Sequence, residues 1–213
     1  VSMSMDHLEK TRDLNTTGLL DYIYKDEFVI EYLDKDGNCE LSDTEKQAFE
    51  ADVLGNNTKL TPELLNSAHK SIIKQKLENF FSNEDIQSLL DIDGKDGLSE
   101  EEKETFKLYI QGDNEELTVQ DIKKAFSAIE DGTFKYDKDS DEIKELYKKA
   151  KDNVINSKLD EIFDNEKAIK LLDLDGDGKL SEEEKEAFKI FVQGDNEELT
   201  AKDLDEAIKA IED

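Results

Sequence analysis

One cysteine, Cys39, stands in 213 residues. That excludes an intramolecular disulfide framework and a thiolate zinc cluster. There is one proline and no tryptophan, and Glu, Lys, Leu and Ala are abundant, a balance that favours helix over sheet. The two histidines, His7 and His69, each lack a neighbouring His, Cys or triad partner in sequence. No glycine-rich phosphate loop, nucleophile elbow or basic aromatic patch occurs, so nothing points to an enzyme. No run approaches the roughly 18 apolar residues of a membrane span, and no secretory leader is visible. Positive charge is scarce: 28 Lys and Arg face 56 Asp and Glu, for a formal charge of −28. Such a polyanion repels nucleic acid and anionic membranes. It also repels itself.

What the chain does contain is carboxylates at regular spacing. In Asp173-Leu-Asp175-Gly-Asp177-Gly178-Lys179-Leu180-Ser181-Glu-Glu-Glu184, oxygen-bearing side chains occupy the first, third, fifth and ninth positions, and a glutamate closes the twelfth. Gly178 stands sixth, where a sharp turn needs a positive φ. Leu180, eighth, is expected to point inward. Ser181 and Glu184 form a capping box for a helix that begins at Glu182.

This stretch resembles the calcium loop of the EF-hand family. The resemblance implies an all-α fold of tandem helix–loop–helix modules with additional connecting helices. It also implies calcium held by the side chains of Asp173, Asp175, Asp177 and Glu184. The carbonyl of Lys179 and Ser181, directly or through water, would complete the set.

The motif is repeated. Residues 89–125 and 171–207 align without a gap and share Leu-Ser-Glu-Glu-Glu-Lys-Glu and Gln-Gly-Asp-Asn-Glu-Glu-Leu-Thr. A more diverged copy covers residues 32–68. Each copy is expected to run from a longer amphipathic helix, through an Asp or Asn break (Asp26, Asn83, Asn165), into a short helix and the loop. An exit helix comes next, with Leu180, Ala187, Phe188, Phe191 and Val192 on one face in the third copy. Gln-Gly-Asp-Asn then stops it, and a further helix opens at Thr61, Thr118 or Thr200. An insertion near 131–149 suggests two units in residues 1–131, a linker over 132–149 and a third unit in 150–213.

The first loop offers Asp34, Asp36, Asn38 and Glu45, with the carbonyl of Glu40. It places Cys39 where the family has glycine. A non-glycine residue there costs about 1–2 kcal/mol. Read instead as a reactive thiol, Cys39 would find its thiolate disfavoured by the surrounding carboxylates. The second loop offers Asp91, Asp93 and Glu102, but Lys95 falls on the fifth ligand position and Asp96 on the glycine position. Either the cation weakens the site, or the loop shifts so that Asp96 coordinates and Gly97 makes the turn. The acidic stretches at 112–118 and 194–200 are expected to be capped turns rather than further hands, and 137–141 a solvated linker segment.

These features favour a calcium-binding protein, with one to three ions, that acts as a calcium-stabilised structural or protein-interaction module. A sensor or buffer that changes conformation to bind a partner is the alternative, though the methionines of a plastic groove are confined to Met3 and Met5. A minor alternative is an acidic nucleic-acid mimic that binds a basic protein. The expected partner is another protein, with a homodimer through an unpaired hand as a further arrangement. Neither nucleic-acid binding nor membrane insertion is expected.

Overall fold

The computed structural model describes residues 5–213, with side chains from residue 15 onward. Met3 and the side chains of Met5 and His7 therefore lie outside the described residues. Among these the fold is all-α. Its helices are α1 (Met5–Tyr24), α2 (Glu27–Leu33), α3 (Asp43–Leu54), α4 (Pro62–Phe81), α5 (Glu84–Leu90), α6 (Glu100–Gln111), α7 (Val119–Glu130), α8 (Asp141–Phe163), α9 (Glu166–Leu172), α10 (Glu182–Gln193) and α11 (Ala201–Glu212). None is long and apolar enough to cross a membrane.

Local chemistry sets the boundaries. Ser42, Ser99 and Ser181 cap α3, α6 and α10, each in a reciprocal box with the glutamate three residues on. Gly55, Gly112 and Gly194 end those helices at positive φ, a conformation that costs glycine little. Thr61, Thr118 and Thr200 then cap α4, α7 and α11, and Pro62 occupies the first turn of α4, where its missing N–H is not needed. Asp26 and Asn165 cap the short helices α2 and α9.

The chain forms two compact units, divided between Asn83 and Glu84. In the first unit Ile23, Val29, Leu33, Phe49, Leu65 and Ile72 gather α1–α4 around one apolar core. The Tyr24 ring meets Phe49 edge-on at 6.0 Å. In the second unit the third repeat packs Leu159, Ile162, Ala168, Phe188 and Leu204 together, while Phe106 and Ile122 are buried in the second.

The division thus falls elsewhere than at residues 132–149, and there is a physical reason. Asp141–Lys149 are the opening turns of α8, capped by Ser140, and 137–139 are an exposed segment that leads into it. Helix α8 packs on α6, with Ile143 and Ala150 buried, and its later turns also enter the third repeat, where Leu159 and Ile162 join the core and α11 packs on it. One continuous helix binds the second and third repeats into a single unit.

Candidate metal centres

Each loop lies between a short helix and a capped one, and its first carboxylate folds the backbone around itself. In the third loop Asp173 Oδ1 accepts from the Gly176 N–H at 2.9 Å and Oδ2 from the Gly178 N–H at 2.8 Å. Gly178 turns at φ +81° to bring that N–H inward. The Asp177 N–H donates to Asp175 at 3.1 Å, and the Lys179 N–H donates to Asp177 at 2.8 Å. Glu184 reaches back across the loop, accepting from the Ser181 N–H at 2.8 Å and from the Leu174 N–H.

The first loop repeats this pattern. Asp34 accepts from Gly37 and Cys39, Asn38 from Glu40, and Glu45 from Ser42 and Lys35. Cys39 takes φ +63°, the left-handed turn that its position in the loop demands.

The second loop departs from it. Asp91 accepts from Gly94 at 2.8 Å, Asp93 from Lys95 at 2.9 Å, and the buried Glu102 from Ile92, Asp93 and Ser99. Its second turn is made by Gly97 at φ +79°, one residue later than in the other loops. That shift is one of the two alternatives the sequence leaves open. Asp96, however, does not join the carboxylates that converge in this loop, and Lys95 offers no oxygen to a metal.

Three clusters result: Asp34, Asp36 and Glu45; Asp91, Asp93 and Glu102; and Asp173, Asp175 and Asp177. Within each, one oxygen per residue lies within 4.8 Å of the others. Among the described residues no cationic side chain forms an ion pair with any of these carboxylates. Glu184 stands outside the third trio but keeps its place at the loop's end.

The electrostatics reflect this crowding. The Cys39 and Gly178 amides hold Asp34 and Asp173 below the ordinary carboxylate range. Glu45 and Glu184 are lowered too, first by the Ser42 and Ser181 amides. Asp36 and Asp175 go the other way. Backbone amides from Asn38 and Asp177 pull them down, but the neighbouring Asp34 or Asp173, desolvation and the remaining carboxylates outweigh that and raise them. The donors are hard oxygens at cation spacing, so the residues present fit a divalent ion of the calcium type.

The stretches at 112–118 and 194–200 are capped turns. The Asn114 amide donates to both Asp121 oxygens at 3.0 and 3.1 Å, and Asn196 does the same to Asp203. Sequence reasoning missed the partner of His69, whose Nε2 lies 2.8 Å from Asp26 with both side chains largely buried. The two are 43 residues apart, and no local pattern links them. Compared with protein-family models, curated proteins and solved structures, the chain matches none.

Proposed function

We propose that this protein binds calcium through EF-hand-type loops and acts as a calcium-stabilised structural and protein-interaction module. The observation that carries the reading is the threefold recurrence of one arrangement. Carboxylates at the first and third loop positions converge within 4.8 Å in all three loops, joined by the twelfth in the first two and by the fifth in the third, and among the described residues no side-chain cation pairs with them. In the third loop Asp173, Asp175, Asp177 and Glu184 would hold the ion, and in the first Asp34, Asp36, Asn38 and Glu45. In the second, Asp91, Asp93 and Glu102 remain, with one oxygen fewer because Lys95 fills the fifth position.

A bound ion supplies positive charge where like charges are forced together. Because the loops connect the helices that form each core, relieving that repulsion stabilises the packing of the helices. Binding to the folded state alone adds stability by mass action, about 2.7 kcal/mol at a free concentration one hundred times the dissociation constant.

Calorimetric titration of calcium into the chelator-treated full chain, followed by thermal melting, tests the reading. At least two sites and a raised melting temperature are expected, with the second loop the weakest. A titration without binding heat at several temperatures, and an unchanged melt, would overturn it.

A further inference from the structure

The third repeat carries an apolar face that nothing in the described chain covers. Leu171, Leu174, Ile190 and Phe191 are 65, 80, 64 and 85% exposed. Two are carried by α10, one belongs to the last turn of α9 and one stands in the loop. Ile190 and Phe191 are consecutive on α10, and Leu171 and Leu174 stand either side of Asp173, so large exposed apolar side chains are concentrated in one repeat, as at a binding surface.

The same face exists in the second repeat, where numbering differs by 82 (Asp91 against Asp173). The counterparts Leu89, Ile92, Leu108 and Tyr109 are half-buried rather than exposed, and Thr105, the counterpart of exposed Ala187, is fully buried. The cover comes from the residues after α7. Gly132 turns at φ +79°, and the Thr133 and Phe134 amides donate back to the Ala128 carbonyl. The chain then returns along α6. The Phe134 and Tyr136 rings lie 5.8 and 5.2 Å from Tyr109, and the Tyr109 hydroxyl donates to the Lys135 carbonyl. Helix α8 then packs on α6. Further along α8, Asn153 donates to Glu104, and Lys158 pairs with Glu100 at 2.9 Å as well as with Asp205 of α11 at 2.7 Å.

The first repeat shows that the repeat itself does not require this face to be apolar. Counting back by 57 (Asp91 against Asp34), its equivalents are Tyr32, Lys35, Ala51 and Asp52. The third repeat resembles the second instead, and retains Glu182 and Glu186 where Glu100 and Glu104 receive α8. Those two glutamates pair with Lys185 and Lys189 of their own helix, at 3.6 and 4.0 Å. Among the described residues no aromatic pair like Phe134 and Tyr136 packs on Phe191, the counterpart of Tyr109, which is left exposed.

We propose that Leu171, Leu174, Ile190 and Phe191 form a docking face for a segment of a partner polypeptide. That segment has two aromatic rings one residue apart and then an amphipathic helix with cationic or amide side chains, the chemistry that residues 134–158 bring to the second repeat. The inference goes beyond metal binding, since none of the four side chains is a metal ligand. It does not require the loops to be loaded.

The probe is a labelled peptide of residues 131–158, titrated into the full chain and followed by fluorescence anisotropy in calcium and in chelator. Resonance shifts of Leu171, Leu174 and Ile190 locate the contact. Saturable binding is expected, with those methyl groups perturbed. Phe191→Asp, a change towards the charge that the first repeat carries here, should weaken binding about tenfold or more. The melting temperature of that variant should be unchanged. Phe134→Ala/Tyr136→Ala in the peptide should weaken binding comparably. Failure to bind, indifference to either change, or shifts confined to residues 106–109 would overturn the proposal. So would concentration-dependent dimerisation abolished by Phe191→Asp, which would assign the face to a second copy. Calcium calorimetry on the same samples reads the metal proposal independently.

Discussion

The second and third repeats share two identical runs, residues 98–104 with 180–186 and 111–118 with 193–200, yet their structures part in two respects, and each has a separate cause. Within the loop, Lys95-Asp96-Gly97 replaces Asp177-Gly178-Lys179, and the turn moves one residue towards the C-terminus. Around the loop, α6 lies beneath Phe134, Tyr136 and α8, while α10 presents Ile190 and Phe191 to solvent. The first difference is chemical and local. The second is set by the chain downstream of the repeat, so near-identical helices can have opposite surroundings.

The sharpest way to break the comparison is to truncate aromatics of the two equivalent helices. Phe106→Ala, at a fully buried site, should cost about 3–5 kcal/mol. Phe191→Ala, about one turn further along the equivalent helix and 85% exposed, should stay within about 0.5 kcal/mol. Urea unfolding measures both, and equal losses would mean that burial does not set what these rings contribute.

Glu184→Gln addresses the loops. It should reduce calcium affinity at the third site by about 100-fold or more, since even groups that merely orient a ligand contribute roughly 10–100-fold. The first site should change little. Calorimetry that still counts the same number of tight sites would contradict the assignment.

A smaller effect is expected from remaking the second loop in the image of the third. Lys95→Asp/Asp96→Gly/Gly97→Lys restores the fifth oxygen and moves the turn back, and should raise that site's affinity about tenfold. If affinity is unchanged, the turn and the cation are not what separates the loops.

The smallest effect concerns what the repeats have in common. Asp121 and Asp203 are held below the ordinary carboxylate range, first by the Thr118 and Thr200 amides. A lowered folded pKa means their contribution is fully present above the ordinary range and is lost as pH falls through the folded values. Asp121→Asn/Asp203→Asn should therefore melt lower than the wild type at neutral pH, and the gap should close in acid. A gap that persists at the most acidic pH would show that the caps do not act through their charge.

The legible parts of this molecule are those with local causes. Ser42, Ser99 and Ser181 announce their helices because the cap and its glutamate are three residues apart. Asp173 and Asp175 announce a cluster because loop spacing alone brings them together. The strain at Cys39 is foreseeable for the same reason: the loop needs a left-handed residue there, whichever side chain it carries. Phe191 is different. Its spacing suggests the buried face with Phe188, but three residues of helix set it about 60° to one side, on a stripe with Ala187. Two adjoining stripes of α10 are apolar, and periodicity does not say which of them is covered. The packing of Phe134 and Tyr136 on Tyr109, and of His69 on Asp26, joins residues too far apart for any local pattern to record.

Helix α8 is 23 residues long, or roughly 35 Å at about 1.5 Å per residue. It is shared property: one end roofs the second repeat and the other is a wall of the third. Ile143 and Ala150 are buried towards its start, and Leu159 and Ile162 are buried in the core of the third repeat. The helix is thus a common beam, so a proline placed in its middle would remove support from two loops at once.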